Sequence, residues 1–446
     1  MAMMLGTMAG CGSGANTSSV KETSSQVTTG AESTAAESSE EAAREQTKAE
    51  SSEEATEESK SEKTSVQAEA VSASYTAYSG GILDTADIFT DRDLLQTPDL
   101  TEAEYITVTD GQTINITEAG TYVISGTAKN CTIRAEAADD AKIQLVLDGV
   151  NITNDDFPAI YVVNADKCFV TTTDSENTLT VTGAYTSDGD TGTDAVIFSK
   201  DDLVLNGMGK LTISSPGGNG ISCKDDLKVT GGSYVIDCAE DAIEANDSIS
   251  VCGGTFDITS GKDGLHCEND EDNSQGSIWI ADGTFSITAA SDSIQATTAL
   301  QIDGGSITTT SSEGLEATYV QINGGTIDIT ATDDGINATS KSTYLDVAAE
   351  FNGGDITIAM GQGDTDAVDS NGSIYINGGT IDITAPTSSF DYDYTAEFNG
   401  GTIIINGTEV SEIPAGMMGG GMMGGMHGGR GGFGGDFTEG LAGRNM

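Results

Sequence analysis

The stretch DAIEANDSISVCGGTFDITS, residues 241–260, contains two short runs of alternating apolar residues on either side of a Gly-Gly pair. The runs are Ile249/Val251 and Phe256/Ile258. Alternation with a period of two is typical of a β-strand with one buried face, so each run predicts a strand. The Gly-Gly pair between the runs predicts a sharp corner.

The same pattern recurs along the chain, so the stretch is one unit of a repeat. Copies begin at Asp194, Asn219, Asp241, Asp263, Asp292, Glu313, Asp334 and Asp366. The spacing is 21 or 22 residues for four of the steps, and the longer steps of 29 after Asp263 and 32 after Asp334 indicate insertions. A fixed period of this length indicates a solenoid whose coils bury their apolar faces against one another. We therefore predict an all-β, right-handed, single-stranded parallel β-helix with coils about 4.8 Å apart.

The composition of the chain divides it into four predicted regions. Residues 1–11 are mostly apolar, and small residues precede Cys11, which resembles the lipobox of a bacterial lipoprotein and predicts lipidation of Cys11. Residues 12–79 are rich in Ser, Thr, Glu and Ala, which predicts a disordered acidic tether. The β-helix is predicted for residues 80–410, and a disordered Gly/Met-rich tail for residues 411–446.

The net charge of the chain limits its partners. With 71 acidic and 18 basic residues, the formal charge is −53, which disfavours nucleic acid and favours bound cations. The sequence contains no run of ~20 apolar residues, so we expect membrane attachment through the lipid alone. The predicted location is the extracellular face of the cell membrane or the cell wall, and the predicted state is a monomer.

Six cysteines follow Cys11, and the repeat register argues against disulfides for some of them. Cys223 and Cys267 occupy the position that Ala245 holds in the copy between them. Two coils separate the pair by roughly 10 Å, which is too far for a disulfide. Most of the cysteines are therefore predicted to be buried thiols.

Stacking the copies places acidic residues in two columns. The first column is Asp194, Asn219, Asp241, Asp263, Asp292, Glu313, Asp334 and Asp366, and the second is Ser222, Glu244, His266, Gln295, Glu316, Asn337 and Asp369. Carboxylates about 5 Å apart repel each other unless a cation or backbone N–H groups neutralise them. Ca²⁺, with its 6–8 oxygen ligands, would serve, and the alternative is that each leading Asp only caps its own turn.

The insertion after Asp263 adds further acids, since four occur between Glu268 and Asp272. The alternative interpretation of this insertion is a solvated acidic loop. The predicted metal ligands from the columns and the insertion are Asp241, Glu244, Asp263, His266, Glu268, Asp270, Asp272, Asp292, Glu316, Asp366 and Asp369.

Trp279, the only Trp in the chain, lies between inward Ile278 and Ile280 and is predicted to point outward. Its column also contains Lys228, Ser250, Gln301, Gln321, Glu350, Tyr375 and Glu397. An exposed Trp flanked by amides and carboxylates is suited to stacking on a sugar ring. Trp279, Tyr375, Gln301 and Gln321 are therefore the predicted carbohydrate-binding residues.

Several motifs resemble a known family. They include IQLVLDGVNIT at 143–153, PAIYV at 158–162, FSKDDLVLNG at 198–207, SCKDDLKVTGG at 222–232 and the repeated Gly-Gly-Thr corners. Residues 84–408 resemble the carbohydrate-binding β-helix family of surface lipoproteins from clostridia and relatives. The resemblance implies a polysaccharide-lyase-like fold, bound calcium at Asp263, Glu268, Asp270 and Asp272, and binding of cellulose-type or acidic plant glycans without cleavage.

Two other functions remain as alternatives. A calcium-dependent polysaccharide lyase would need a basic side chain, and the candidates are Lys200, Lys224 and Lys262. A structural or adhesion protein of the cell surface would instead bind another protein. We predict a calcium-binding, polysaccharide-binding surface lipoprotein with no catalytic residues.

Overall fold

In the computed structural model, the described residues are 70–76, 78–363 and 365–414, and most of them form one stack of coils. Each complete coil contributes one strand to each of three ladders, which we call wall 1, wall 2 and wall 3 in chain order. Every pairing between successive coils is parallel, which confirms the predicted parallel β-helix. Cys11, the tether up to residue 69 and the tail after residue 414 lie outside the described residues.

Wall 1 is a separate sheet of 12 strands. Its strands are Thr113–Ile116, Thr132–Glu136, Ile160–Asn164, Ala195–Ser199, Asn219–Cys223, Ile243–Ala245, Leu265–Cys267, Asp292–Ala296, Glu313–Ala317, Asp334–Ala338, Asp366–Ser370 and Ser388–Tyr392. This wall carries both acidic columns.

Walls 2 and 3 form one sheet because four long strands run from wall 2 around the corner into wall 3. These four strands are Gly120–Lys129, Lys142–Asn154, Ser248–Ser260 and Ser277–Ala289. The other strands of wall 2 are Glu104–Thr107, Lys167–Thr172, Leu203–Gly207, Asp226–Val229, Ala299–Ile302, Tyr319–Ile322, Ala348–Phe351, Ser373–Ile376 and Ala396–Phe398. Those of wall 3 are Glu176–Val181, Lys210–Ser215, Ser233–Cys238, Ser306–Ser311, Thr326–Ala331, Asp355–Met360, Thr380–Thr384 and Thr402–Ile405, and Thr408–Val410 pairs antiparallel with the last of these.

The core is built from columns of identical or similar apolar residues. On wall 2, Ile249 pairs with Ile278 and Ile278 with Leu300, and all three are fully buried. On wall 3, the rings of Phe256 and Phe285 stack with centroids 4.5 Å apart. Removal of these side chains from water, at about 25 cal/mol per Å² of apolar surface, is the main force that holds the coils together.

Glycine forms the corner between walls 2 and 3. Gly254 has φ 111° and Gly305 has φ 92°, a region that residues with a Cβ rarely adopt. Beside this corner, Asn352 donates to Asn323 at 2.8 Å, and Asn323 donates to Asp303 at 2.7 Å. The Gly-Gly pairs seen in the sequence therefore mark the corner, as predicted.

An N-terminal segment covers part of the outer face of wall 2. It contains the only helix of the described residues, Asp91–Leu94, which Thr90 and Asp93 cap reciprocally. Ser72 forms a β-bridge with Leu95, so ordered structure begins before residue 79, where the tether was predicted to end. That boundary was wrong because apolar side chains of the segment, such as Tyr75, pack on a wall that is far away in sequence.

The six cysteines among the described residues are buried and unpaired. Cys131, Cys168, Cys223, Cys238, Cys252 and Cys267 are all free thiols, which confirms the prediction. Within the described residues, no helix is long and apolar enough to cross a membrane.

Candidate metal and carbohydrate sites

The second acidic column exists as predicted. Along wall 1, Ser222 pairs with Glu244, Glu244 with His266 and His266 with Gln295. The column continues through Glu316, Asn337 and Asp369. The stacked side chains are therefore neighbours across coils, so each carboxylate is influenced by those directly above and below it.

The first acidic column also bonds across coils. Asp241 Oδ1 accepts the backbone N–H of Asp263 at 2.9 Å, and Asp263 Oδ1 accepts that of Asp292 at 2.9 Å. Asn219 Oδ1 does the same for the N–H of Asp241. These leading residues cap the next coil and not their own turn, which corrects the alternative considered above. Each Asp keeps its second oxygen for other partners.

The first carboxylate cluster contains a histidine. His266 Nδ1 lies 3.3 Å from Asp241 Oδ2 and 3.8 Å from Asp263 Oδ2, and His266 Nε2 lies 3.5 Å from Glu268. Burial alone would lower the pKa of His266, but its hydrogen bond to Asp241 and the nearby carboxylates raise it. Burial alone would raise the pKa of Asp241, but the contact with His266 lowers it. A protonated imidazole can therefore neutralise this cluster.

The second cluster contains only carboxylates. One oxygen each of Asp292, Glu313 and Glu316 lies within 4.8 Å of the others. Burial, followed by the charges of Asp263, Glu313 and Glu316, raises the pKa of Asp292 well above its usual range. Three ionised groups at this spacing repel strongly, so the cluster favours either a shared proton or a divalent cation.

Two polar side chains lie beside the second cluster. Lys341 Nζ is 2.7 Å from Glu316 Oε2. Gln295, with its amide nitrogen towards the carboxylates, donates to Asp292 at 3.2 Å and Asp263 at 3.0 Å, and its oxygen accepts from Lys341 at 2.6 Å. Gln295 thus connects the two clusters, and Lys341 supplies a single positive charge to the second.

Glu244 is not part of either cluster. Its carboxylate lies 3.1 Å from Lys224 Nζ and accepts hydrogen bonds from Asn219 at 2.8 Å and Ser222 at 2.9 Å. These partners occupy both oxygens. Glu244 as a metal ligand stays a prediction, and the structure gives it a lysine partner from the preceding coil.

The acidic insertion lies beside the clusters, but Asp270 and Asp272 do not join them. Both are exposed, and Asp272 Oδ1 accepts from the N–H and hydroxyl groups of Ser274 at 3.0 and 2.7 Å. This insertion contacts the second insertion, which follows Asp334. The side-chain amide of Asn273 donates to Thr343 at 2.8 Å, and the backbone carbonyl of Asn273 accepts from Ser342 at 2.6 Å. Of its predicted ligands, the structure brings only Glu268 to a cluster, because the loop turns outward after it.

Asp366 and Asp369 also lie outside the two clusters, in a third group of acids further along wall 1. Burial, followed by the charges of Asp366 and Asp391, raises the pKa of Asp369 to about 6. Burial raises the pKa of Asp334 to about 7. A hydrogen bond from the backbone N–H of Asp366 opposes this shift, and the charges of nearby acids add to it. This end of wall 1 thus carries acids that resist ionisation.

The Trp279 column has the predicted register, but its centre is covered. Trp279 pairs with Ser250 and Gln301, and Gln301 pairs with Gln321. Trp279 is 1% exposed, and Phe89 stacks on it at 5.6 Å with Tyr75 edge-on at 5.4 Å. The prediction of an exposed Trp279 was wrong, since the N-terminal segment packs over the outer face.

The same segment covers the two predicted glutamines. Gln301 Oε1 accepts the N–H of Leu83 at 2.9 Å, and Gln321 Oε1 accepts the N–H of Ile82 at 2.9 Å. Gln301 is 0% exposed and Gln321 is 3% exposed. Neither amide is accessible to a sugar in this conformation, which corrects their assignment to an open face.

Beyond Gln321 the column emerges from beneath the segment. Glu350 pairs with Gln321 and Tyr375 with Glu350, and both side chains are half-buried. Glu350 accepts from Gln321 at 2.8 Å and from the hydroxyl of Tyr319 at 2.9 Å. Of the predicted carbohydrate-binding residues, Tyr375 alone remains reachable from solvent.

Sequence reasoning did not assign three residues that the structure makes important. Glu313 was placed in the first column but not among the metal ligands, although its pairing with Asp292 follows from the repeat. Lys341 comes from the second insertion, whose contact with wall 1 no repeat pattern signals. Asp303 accepts from Trp279 Nε1 at 2.9 Å and from the N–H of Tyr78 at 3.2 Å, and connects wall 2 to the segment.

Comparisons with known proteins identify the family of this chain. A family model described as "Carbohydrate-binding domain-containing protein" matches residues 110–367, more than half of the chain. The chain therefore belongs to this family of carbohydrate-binding domain-containing proteins.

One relative and one solved structure are similar over part of the chain. A carbohydrate-binding domain-containing protein of Acetivibrio thermocellus is 36% identical over 126 residues, which are 28% of this chain and 44% of the relative. The chain thus spans less than half of that relative. The gadolinium derivative of the polysaccharide lyase-like protein from C. thermocellum is 31% identical, with a TM-score of 0.45, over 46% of this chain and 90% of that one.

Proposed function

We propose that this protein binds polysaccharide without cleaving it, holds Ca²⁺ on wall 1, and is attached to the outside of the cell through a lipid on Cys11. The observation that carries the proposal is the family match over residues 110–367. The ligand class is cellulose-type or acidic plant glycan. An acidic glycan would approach a chain of formal charge −53 more readily when divalent cations bridge the two.

Calcium is best matched to the cluster of Asp292, Glu313 and Glu316. Its donor atoms are all carboxylate oxygens, which Ca²⁺ prefers, and waters can complete the 6–8 ligands. The buried, protonation-prone Asp292 supports a cation there because a divalent ion would remove the repulsion. The cluster of Asp241, Asp263 and His266 is a weaker calcium candidate, since a protonated imidazole would offset part of its negative charge.

The open end of the Trp279 column is the proposed sugar contact. Tyr375 offers a half-exposed ring, and Glu350 and Glu397 beside it offer hydrogen-bond acceptors for sugar hydroxyls. Aromatic rings present an apolar face with a polar edge, which suits a sugar ring. We expect the Tyr375→Ala variant to lose glycan retention, with Tyr105→Ala, at a 70% exposed tyrosine, as the control.

The candidate bases favour binding over catalysis. A lysine that acts as a base needs a lowered pKa. Lys262 instead donates to Glu240 at 2.9 Å, and this hydrogen bond raises the pKa of Lys262. Lys224 is held between Glu244 at 3.1 Å and Asp194 at 3.8 Å. The environment of Lys262 thus stabilises the charged ammonium, which opposes proton abstraction from a sugar.

The test is retention of the full chain on insoluble cellulose and on immobilised polygalacturonate, with calcium and with chelator. We expect retention in calcium and weaker retention in chelator. The absorbance of unsaturated sugar product tests for a lyase, and we expect none. Retention on neither glycan, together with binding to wall proteins that sugar does not compete for, would favour the adhesion alternative.

A further inference from the structure

The part of the N-terminal segment that lies on Trp279, Gln301 and Gln321 has the form of a displaceable cover. We define the cover loop as residues 78–89, so that it includes Phe89, whose ring stacks on Trp279. The residues flanking it are clamped together, because Ala73 donates to Leu94 O at 2.8 Å and Gln96 donates to Val71 O at 2.7 Å. A surface loop with its ends held close in this way can move without disturbing the elements that anchor it.

The anchor, which we define as residues 71–73 and 90–96, and the cover loop are attached to wall 2 in different ways. In the anchor, Asp93 is fully buried 3.5 Å from Lys167, and Gln96 accepts the N–H of Gly207 at 2.9 Å. In the cover loop, three backbone N–H groups donate to side chains of the wall, from Tyr78, Ile82 and Leu83. Among the described residues, no backbone–backbone hydrogen bond joins either part to the wall, but Asp93 and Gln96 of the anchor are buried, whereas most residues of the cover loop are exposed or half-buried. The cover loop is therefore the more weakly held part.

The contacts under the cover loop are of a kind that a sugar can replace. The loop and its flanks give Trp279 apolar neighbours and give the oxygens of Gln301 and Gln321 one N–H donor each. A pyranose ring has an apolar C–H face that packs on an indole and hydroxyl groups that donate to amide oxygens. Opening the loop would thus extend the open column at Glu350 and Tyr375 into one continuous strip.

A cleft already separates the cover loop from the wall on one side. It is lined by Asp84 and Asp87 of the loop and by Lys228, Ser250 and Trp279 of the wall. At the tip, Gly80 has φ 108°, and a Cβ at Gly81 would lie 2.4 Å from Gln301 Nε2. A side chain at Gly81 would therefore displace the amide of Gln301, whose oxygen accepts the N–H of Leu83 in the closed position.

We propose that the cover loop is a lid that competes with a glycan chain for the strip of Trp279, Gln301 and Gln321. This inference rests on the proposed polysaccharide binding and adds a closed state of lower affinity. Because only the open fraction can use the strip, the apparent affinity is lowered by the population of the closed state. Glycan that occupies the strip would hold the loop open.

Two variants open the lid, and Trp279 reports on it as the only Trp of the chain. Gly81→Val introduces a side chain where Gln301 leaves no room, and Leu83→Ala removes apolar packing. Ser79→Val adds the same side chain as the first variant at an exposed position and is the matched control. We expect a red-shifted, more quenchable Trp279 and about tenfold tighter binding to soluble cello-oligosaccharide or oligogalacturonate in both opened variants.

The outcomes separate the lid from the proposed function. If Trp279 becomes accessible in the variants without a gain in glycan affinity, and the wild type still binds glycan, then the lid proposal is wrong and the proposed polysaccharide binding stands. Trp279 that stays inaccessible in both variants also overturns the lid proposal. No binding by any form of the protein contradicts both proposals, whereas binding by the opened variants alone supports the lid. A far-ultraviolet circular dichroism spectrum confirms that each variant keeps its strands.

Discussion

The outer faces of walls 1 and 2 follow the same stacking rule but end in opposite environments. On wall 1, acids such as Asp263 and Asp292 stack on one another and concentrate negative charge, although both side chains are nearly buried. On wall 2, the stacked column from Ser250 to Gln321 is buried beneath residues about 200 positions earlier in the chain. Register alone therefore determines which side chains are neighbours, while exposure depends on what else packs there.

The largest expected effect comes from removing the cover of wall 2. Phe89 is 7% exposed and stacks on Trp279, so Phe89→Ala should weaken docking of the segment by about 3 kcal/mol. Faster hydrogen exchange of the amides of residues 71–96 and increased quenching of Trp279 would measure this. Tyr105→Ala, at a distant exposed ring, should change neither. Unchanged exchange in Phe89→Ala would mean that other contacts hold the segment.

Calcium should have the next largest effect on stability, and it should act through wall 1 alone. At a free concentration one hundred times the Kd, one site stabilises the fold by about 2.7 kcal/mol. We expect the melting temperature to rise with calcium and to fall in chelator, while Trp279 emission on wall 2 stays constant. The double variant Asp292→Asn/Glu316→Gln should lose most of the response, and Asp355→Asn on wall 3 should keep it. If calcium raised the melting temperature of both variants equally, the calcium site would not be the cluster of Asp292 and Glu316.

The stability of the fold should also depend on pH, because the stacked acids of wall 1 have raised pKa values. The pKa of Asp334 is raised to about 7 and that of Asp369 to about 6, against about 4 in an unfolded chain. Folded carboxyls with raised pKa values bind protons more tightly than unfolded ones, so their stabilising contribution is complete below pH ~4 and is lost as pH rises through 6 to 7. In chelator, thermal melts from pH 5 to 8 should show falling stability. A melting temperature that stayed constant or rose between pH 5 and 8 would contradict the claim that these stacked acids lack a neutralising partner.

The sequence predicted the register of both faces because the repeat is nearly regular. The columns through His266 and Trp279 follow from the 21- and 22-residue spacing, and the buried Cys223 and Cys267 follow from the alanine position between them. The cover over Trp279 could not be predicted in the same way. Tyr75 and Phe89 lie in a segment with no repeat, so no register signals their contact with Trp279, which lies far away in the chain.

The metal ligands were only partly predictable for a related reason. The pairing of Asp292 with Glu313 is periodic, but the positions of Lys224 and Lys341 decide which acids are already neutralised. Lys341 reaches Glu316 from an insertion, where spacing carries no register. The acidic insertion itself looked like the strongest metal site from its composition. Its geometry instead turns Asp270 and Asp272 into solvent.

A smaller effect separates the capping role of the first column from its charge. Asp263 Oδ1 accepts the N–H of Asp292, so Asp263→Ala leaves that buried donor without a partner and should cost about 2 kcal/mol. Asp263→Asn keeps the acceptor and removes the charge, so it should cost little in chelator. Chemical denaturation of the two variants measures the difference. Equal losses would mean that the charge of Asp263, and not its hydrogen bond, stabilises the coil.

The smallest effect should come from Lys341, which neutralises Glu316 from outside the repeat. Lys341→Met removes a partly solvated ion pair, so the stability in chelator should fall by only about 0.5 kcal/mol. The affinity for calcium should rise, because the ammonium and the metal ion compete for the same Glu316 carboxylate. Isothermal titration of the metal-free variant measures this, with Lys210→Met on wall 3 as the control. A lower calcium affinity in Lys341→Met would show that the lysine supports the metal site by positioning Gln295 and Glu316, and that competition between the two cations is not what sets the affinity of wall 1.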